Sequence, residues 1–195
     1  MSAKTVIIKY NAGNIRSVYN ALRRLGIDAQ ITDNHDEIMR AERVIFPGVG
    51  EASSTIRYLK EKQLTDVIKN LKQPVLAICL GMQLLCSESE EGESEGMGII
   101  DEEVKRFSDG QKVPHMGWNK VTQLTGPLFQ HIEEGSFVYF VHSYYVPISL
   151  ATSAKCAYGV DFSAAVQHKN FYATQFHPEK SGKTGNQILK NFLQL

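Results

Sequence analysis

Cys79 has the sequence surroundings of a reactive thiol. It follows the short aliphatic run Pro74 to Ile78, which predicts a buried strand, and it precedes a segment from Met82 that predicts a helix. Ala77 and Gly81 flank it at two-residue spacing, which suits the close approach of strand and helix backbones. Amides at the helix start could stabilise a thiolate or an oxyanion. The pattern therefore predicts a nucleophile on an elbow, although a lone cysteine after an apolar strand is more often a core residue.

A cysteine nucleophile needs a base, and one of the six histidines stands beside a carboxylate. In the segment Phe176 to Glu179, Pro178 holds the backbone extended and two-residue spacing puts His177 and Glu179 on the same side. Glu179 could then hold one imidazole nitrogen while the other faces the thiol, as in a Cys-His-Glu triad. A histidine beside proline is usually a loop residue, but the elbow and the His-Pro-Glu spacing together favour the triad.

The elements that must position these residues alternate along the chain. The order predicts an α/β fold with a mixed, mainly parallel sheet, helices on both faces, and antiparallel strands that extend the same sheet. The active site is expected at the carboxyl ends of the strands. The predicted strands are Thr5 to Tyr10, Asp28 to Ile31, Arg43 to Phe46, 74–78, 104–107, 119–123, 137–141, 155–158, 164–167 and 171–174, and the predicted helices are Ile15 to Leu25, Ser53 to Leu71, one from Met82, and Gly185 to Leu193.

Three segments in this order resemble the class I, or triad, glutamine amidotransferases: the turn Phe46 to Gly50, the elbow around Cys79, and the run His177 to Glu179. The resemblance implies their flavodoxin-like fold. Further segments resemble the glutaminase subunits of imidazole glycerol phosphate synthases, namely Tyr10 to Asn14, Pro114 to Asn119 and Tyr139 to Tyr144. The string Pro-His-Met-Gly-Trp-Asn is the most specific, because triad motifs occur in glutaminases that serve many pathways.

This resemblance implies hydrolysis of glutamine to glutamate and ammonia, with Cys79 as nucleophile, His177 as acid and base, and Glu179 orienting the imidazole. It also implies two backbone oxyanion donors, the amides of Val49 and Leu80. The family pattern places Gly50, Gln83, Glu91, Ser143 and Tyr144 around the substrate. Structural roles stay open for most of these: Gln83 could cap the helix, Glu91 could be a loop acid, and Ser143 and Tyr144 could form a turn.

The resemblance also implies a partner, because ammonia released into solvent would be protonated and lost. That partner is the cyclase subunit, a (β/α)8 barrel bound one to one, which makes imidazole glycerol phosphate and aminoimidazole carboxamide ribonucleotide in histidine biosynthesis. The complex would have hydrolase and lyase activities. Positions that match the barrel-facing side are Asn14, Pro114, His115, Met116, Trp118, Tyr139 and Lys180. Trp118, the only tryptophan, would be an interface hot spot or else an ordinary core residue.

Two other functions stay open. The chain could be the glutaminase of another ammonia-using synthase, such as that of anthranilate or pyridoxal phosphate, which the segment Pro114 to Asn119 disfavours. It could also be a catalytically silent regulatory subunit that keeps the fold for binding only. The presence of Cys79, His177 and Glu179 disfavours that reading.

Composition agrees with a compact enzyme. The 195 residues are 43% hydrophobic, which predicts one domain over 1–195 with a sizeable core. Basic and acidic residues both total 21, so the zero net charge gives no footprint for nucleic acid or an anionic membrane. No apolar stretch approaches the ~20 residues of a membrane span. Three cysteines without close pairing fit a reducing compartment, so a cytoplasmic location is expected.

Several other features are discounted. The run Gly182 to Thr184 imitates the end of a phosphate-binding loop, but His177 stands where that motif needs glycine. The acidic stretch Glu88 to Glu95 lacks the spacing of a calcium loop and is expected to be a solvated connection, apart from Glu91. No spacing suggests zinc, so no metal or cofactor is expected. Cys86, which lies two helical turns after Cys79, and Cys156 are expected to be core thiols. His35, His131 and His168 have no partner motif and are expected on the surface.

Overall fold

The structure, a computed structural model, describes residues 4–108 and 110–195. Its strands are β1 (Thr5–Ile8), β2 (Gln30–Thr32), β3 (Arg43–Phe46), β4 (Val75–Ile78), β5 (Cys86–Ser89), β6 (Ser94–Glu95), β7 (Ile100–Arg106), β8 (His115–Lys120), β9 (Phe137–His142), β10 (Tyr144–Tyr145), β11 (Thr152–Tyr158), β12 (Val160–His168) and β13 (Phe171–Thr174). Its helices are α1 (Ile15–Arg24), α2 (His35–Met39), α3 (Ala52–Glu61), α4 (Leu64–Lys69), α5 (Leu80–Leu84) and α6 (Gly182–Phe192). Short 3-10 turns occupy Glu91–Glu93, Pro127–Phe129 and Pro178–Lys180. In the part of the chain that the structure describes, no helix has the length and apolar character to cross a membrane.

The central sheet has seven strands in the order β11-β12-β13-β4-β3-β1-β2. Strands β2, β1, β3, β4 and β13 run parallel, and β12 and β11 extend them in antiparallel fashion. The predicted mixed, mainly parallel sheet with an antiparallel extension is therefore confirmed. Because parallel neighbours need crossover connections, helices are carried onto the faces of the sheet.

Alternate residues of the buried strands supply two separate cores, one on each face. In β1, Val6 packs in one cluster and Ile7 in the other. Helices α3 and α4 cover the first face through residues such as Leu59, while α1 and α6 cover the second through residues such as Leu22 and Phe192. This period-two division follows from the pleat of a strand that is buried on both sides. The expected helices on both faces are confirmed.

The predicted long helix from Ser53 to Leu71 is wrong in its continuity. The chain forms two helices, α3 and α4, that are separated at Gln63. Gln63 has φ 56, in the left-handed region, and this single residue redirects the backbone. Periodicity alone did not reveal the break because both helices place apolar residues on the same core.

The prediction that all second-half strands continue one sheet is also wrong. Strands β8 and β9 form a separate antiparallel ribbon, and β10, β7, β5 and β6 form a second small sheet. The cause lies just after the elbow, where α5 ends at Leu84 and the chain becomes strand β5 at Cys86, which gives β7 an edge to pair with. Cys86 is thus buried in a strand rather than two helical turns from Cys79, and the acidic stretch 88–95 is ordered by β5 and β6.

Two glycines allow the turn after β3 to approach the elbow after β4. A Cβ atom on Gly48 would lie 2.5 Å from the backbone nitrogen of Gly81. A Cβ atom on Gly81 would overlap the carbonyl oxygen of Phe46. Both obstacles are backbone atoms, so neither can be relieved by a change of rotamer.

We therefore expect Gly81→Ala to lower the free energy of unfolding by ~2 kcal/mol or more, as overpacking against backbone does. Urea unfolding followed by circular dichroism measures this loss. Gly110→Ala is the matched control, because a Cβ atom there meets no atom of the other described residues within 4 Å. Equal stability of Gly81→Ala and the wild type would contradict the tight backbone contact.

Candidate active site

The predicted strand-turn-helix elbow is present at Cys79. The residue lies between β4 and α5 with φ 54 and ψ −109, an unfavourable conformation for a residue with a side chain. Its backbone N–H donates to the Thr174 carbonyl oxygen at 2.7 Å, which ties the elbow to the end of β13. The neighbouring parallel strands therefore hold the sulphur at the carboxyl edge of the sheet, where a cavity opens.

His177 and Glu179 form a buried pair behind this elbow. The Nδ1 atom of His177 lies 2.8 Å from the Oε1 atom of Glu179, and both side chains are enclosed. The backbone of His177 is fixed as well, because its N–H donates to Tyr139 at 2.9 Å and its carbonyl accepts from the Ser181 hydroxyl at 2.7 Å. The imidazole therefore has one orientation, with Nδ1 toward the carboxylate.

The electrostatics of His177 favour the protonated ring. Burial by itself lowers the pKa of His177, but the interactions of the ring with Cys79 and Glu179 outweigh burial and raise that pKa above its ordinary value. The other ring nitrogen, Nε2, is buried and makes no hydrogen bond with the described residues. Nε2 is therefore free to exchange a proton with Cys79 or with a ligand held there.

Asn14 and His115, both expected on a partner-facing surface, lie inside the chain. Asn14 is 5% exposed and donates from Nδ2 to Glu179 Oε1 at 3.2 Å, so it holds the Glu179 carboxylate in place. His115 is 4% exposed and pairs with His142 through a 3.0 Å nitrogen–nitrogen contact. Each side chain is enclosed by its own polar contacts in the isolated chain, and a contact of either one with a partner stays a prediction.

The cavity beside Cys79 has a volume of about 290 Å³. It is lined by Cys79 and by every residue that the sequence nominated as oxyanion donor or substrate contact: Val49, Gly50, Leu80, Gln83, Glu91, Ser143 and Tyr144. Pro114, Val141 and His142 complete the wall. The structure therefore brings these residues, from four separate stretches of sequence, around one space of small-molecule size.

Two polar side chains in the wall are already oriented by the backbone. Glu91 accepts the N–H of Ala52 at 2.9 Å, and burial raises the pKa of its carboxyl. Gln83 donates from Nε2 to the Tyr144 carbonyl at 2.9 Å and to Gln175 Oε1 at 3.0 Å. The carboxylate of Glu91 and the remaining Oε1 of Gln83 are both acceptors, which suits a ligand that carries an ammonium or amide N–H.

The turn that should supply an oxyanion donor is closed onto the elbow. The Leu80 N–H donates to the Gly48 carbonyl oxygen at 3.3 Å. Because the C=O and N–H of a trans peptide point in opposite directions, the Val49 N–H points away from the Leu80 amide. Tyr10 anchors the same turn by donating its hydroxyl to the Pro47 carbonyl. Neither expected donor is free for a ligand in this arrangement.

The other residues expected on a partner-facing side do reach the surface. Met116 and Trp118 are 63% and 55% exposed, so the core alternative for Trp118 is wrong. Trp118 meets the ring of Tyr139 edge-on at 6.0 Å, and the Lys180 ammonium lies 5.9 Å from the centre of that ring. Pro114 is exposed nearby on the approach to β8. We call Met116, Trp118, Tyr139 and Lys180 the ribbon patch.

Sequence reasoning missed Gln175, which donates from Nε2 to the Cys79 sulphur at 3.6 Å. A glutamine placed directly after a buried strand was the available signal, because a fully buried amide needs polar partners. His142 was also missed as a cavity residue. Of the discounted histidines, His131 is exposed, whereas His35 and His168 are only partly so.

Comparison with known proteins identifies the class. The class-I glutamine amidotransferase family model matches residues 6–195. A solved glutamine amidotransferase superposes with a TM-score of 0.76 at 19% identity and covers 97% of each chain. PurLQS from Thermotoga maritima superposes with a TM-score of 0.74 at 17% identity, covering 100% of this chain and 99% of that one. These structures show the fold, and the chain belongs to the class-I glutamine amidotransferases.

Relatives that match over nearly their full length identify a narrower family within this class. The imidazole glycerol phosphate synthase subunit HisH of Bacteroides fragilis is 56% identical over 195 residues, covering 98% of this chain and 100% of that protein. The same subunit of Escherichia coli K12 is 47% identical over 193 residues, covering 97% and 98%. Within the amidotransferases, the chain belongs to the HisH family.

The three cysteines should differ sharply in reactivity. Cys79 lines the cavity, whereas Cys86 and Cys156 are buried in the cores. Burial raises the pKa of the Cys86 thiol to about 12 and that of the Cys156 thiol to about 12. At pH 8 only ~10⁻⁴ of such a thiol is ionised. We expect iodoacetamide to modify the folded chain at Cys79 alone, as read by peptide mass spectrometry; comparable labelling of Cys86 would contradict the assignment.

Proposed function

We propose that this chain hydrolyses glutamine with Cys79, His177 and Glu179, and passes the ammonia to a cyclase subunit of imidazole glycerol phosphate synthase. The observation that carries the proposal is the 2.8 Å His177–Glu179 contact beside a strained cysteine at the edge of a cavity. Relatives described as subunits of that synthase support the pathway. They also argue against a glutaminase for another synthase, and the assembled triad argues against a silent subunit.

The chemistry follows from the orientation of the triad. The Cys79 sulphur attacks the side-chain amide carbon of glutamine, while the cationic His177 ring stabilises the thiolate and then protonates the departing ammonia. Water, deprotonated by His177, hydrolyses the glutamyl thioester that remains. Glu179 fixes the ring, and Asn14 fixes Glu179, so the imidazole needs no reorientation between the two steps.

Substrate recognition falls to the polar groups of the cavity. The glutamine ammonium requires acceptors, which Glu91 and the free oxygen of Gln83 offer. Ser143 and Tyr144 lie on the same wall, where backbone donors can meet the carboxylate. Gly50 also lines the cavity, where a side chain would take up space needed by the substrate.

The closed turn suggests how hydrolysis is held back. Rotation of the peptide between Gly48 and Val49 would release the Leu80 N–H and turn the Val49 N–H toward the cavity, so both donors would appear together. Because Gly48 has no side chain, the change in its backbone torsion during this rotation costs little free energy. One such donor is worth ~3 kcal/mol in the transition state. In our proposal the loaded partner favours this rotation, and hydrolysis is coupled to the use of ammonia.

The partner is proposed to be the cyclase, a (β/α)8 barrel bound one to one, docked on the ribbon patch. The patch joins exposed apolar surface to a cation, as interface cores with charged rims do. It also lies directly over the triad, because Tyr139 holds the His177 backbone and Lys180 follows Glu179. A barrel seated there would receive ammonia before solvent does. The complex would work in the cytoplasm.

Replacement of the nucleophile tests the proposal directly. Cys79→Ala should abolish glutamine hydrolysis while the complex still binds and still cyclises with added ammonia, because the change removes only the sulphur that lines the cavity. Cys156→Ala is the control and should keep its glutaminase activity. Substantial glutamine turnover by the purified Cys79→Ala complex would overturn the proposed chemistry.

Lys180 tests the link between the patch and the triad. Truncating one side chain of an ion pair costs ~2–5 kcal/mol when the pair is desolvated at an interface. The same change costs ~0–1 kcal/mol when the pair is exposed to solvent. Lys180→Ala should therefore reduce stimulated glutamine turnover at least tenfold at saturating partner and spare ammonia-dependent cyclisation. Lys72→Ala, exposed on the loop before β4, is the control. A loss of less than twofold would show that Lys180 is a solvated surface residue.

A further inference from the structure

Gln175 is fully buried, yet its side-chain amide is directed at the nucleophile. It has no exposed surface, and its Nε2 atom lies 3.6 Å from the Cys79 sulphur. The Val141 carbonyl lies 3.8 Å from the same sulphur. An N–H donor thus approaches the sulphur beside a carbonyl acceptor, and only the donor can stabilise negative charge on it.

The direction in which Gln175 points is fixed by Gln83. The Oε1 atom of Gln175 accepts from Gln83 Nε2 at 3.0 Å, and the second hydrogen of that Nε2 goes to the Tyr144 carbonyl at 2.9 Å. If Gln175 were turned over, its NH₂ group would face the NH₂ group of Gln83 and its oxygen would face the sulphur. Both contacts would be unfavourable, because two donors would meet and an oxygen would confront the thiolate.

The Tyr144 carbonyl that anchors Gln83 is itself held by a pair of histidines. It accepts from His142 Nδ1 at 2.7 Å, so this nitrogen carries a hydrogen. Burial lowers the pKa of His142 to about 3, and the neutral ring therefore accepts at Nε2 from His115 Nδ1 at 3.0 Å. His115 Nε2 is left to accept from Asn119 Nδ2 at 3.3 Å. Every donor in this series has an acceptor, and only one assignment of hydrogens satisfies them all.

We propose that Gln175 is a positioning residue for the nucleophile: its amide N–H holds and stabilises the Cys79 thiolate, and the series from Asn119 through Gln83 keeps that N–H facing the sulphur. The series begins on β8, next to the ribbon patch, and ends at the reacting atom. Asn119 is also pinned to the Ala157 carbonyl at 3.0 Å, so the far end is anchored to the central sheet. His177, which Glu179 faces, and Tyr10 are titratable groups that interact with the sulphur, whereas the Gln175 amide is an N–H donor at every pH.

The rate of alkylation tests this inference without glutamine. The inference rests on the proposed role of Cys79 as nucleophile. Alkylation reports the reactivity of the sulphur itself, so a failure of this inference can be told apart from a failure of the proposed glutamine hydrolysis. The full-length chain is treated with iodoacetamide from pH 5.5 to 9, and labelling of Cys79 is followed by mass spectrometry. Gln175→Glu replaces the donor by an oxygen of the same shape, and Gln175→Met removes the polar group while filling the space. Gln73→Glu is the matched control, because Gln73 donates to the Ile38 carbonyl at the opposite end of β4.

Both Gln175 variants should move the pH–rate profile to higher pH and slow labelling at pH 7 about tenfold, which is the loss expected for one hydrogen bond to a charged group. Gln73→Glu should match the wild type. In the complex, kcat for glutamine should fall while KM changes less than twofold. A Gln175→Met profile within twofold of the wild type at every pH would show that Gln175 only fills space.

A measurement on the wild type covers the case in which these variants do not fold. One side-chain amide proton of Gln175 should shift in the ¹⁵N–¹H spectrum when Cys79 is alkylated, because its acceptor changes. The side-chain amide of Gln73 should not shift. An unchanged Gln175 signal would overturn the inference.

Discussion

The unfavourable backbone of Cys79 is the constraint on which the rest of the site depends. A residue with φ 54 and a side chain persists only where its surroundings allow no alternative. Here the Thr174 carbonyl holds its N–H, and Gly48 and Gly81 let the β3 turn press against the elbow. The sulphur, the closed turn and the start of α5 consequently meet at one point, and the cavity forms in front of them.

The β8–β9 ribbon connects this point to the surface. Its inner side holds the His177 backbone through Tyr139 and carries the His115–His142 pair, while its outer side presents Trp118 and Met116. A partner that moves the ribbon therefore acts on atoms that contact His177 and the cavity wall. The ribbon thus gives a physical route by which partner binding can be coupled to the site around Cys79. The route needs no long chain of small displacements, because one two-stranded element contacts both the partner-facing surface and the site.

Much of this arrangement could be predicted from the sequence. The alternation of apolar strands and helices predicted the parallel sheet, and the spacing around Cys79 and His177 predicted two ends of one site. What could not be predicted depends on tertiary contacts with no sequence period. The left-handed Gln63 divided one helix into two, and the short α5 placed Cys86 in a new sheet. Burial of Asn14 beside Glu179 and of Gln175 beside Cys79 follows from distant segments meeting, which single-sequence patterns do not encode.

Glutamine turnover measures most directly the consequence of the closed turn at Gly48 and Val49. Turnover of the isolated chain should be compared with that of the chain bound to the cyclase subunit, with and without the ribonucleotide substrate of the cyclase. If opening the Gly48–Val49 peptide restores the donors, the loaded complex should turn over glutamine at least about 10²-fold faster than the isolated chain. Equal turnover by the isolated chain and the loaded complex would contradict the account, because the closed turn would then impose no barrier to hydrolysis.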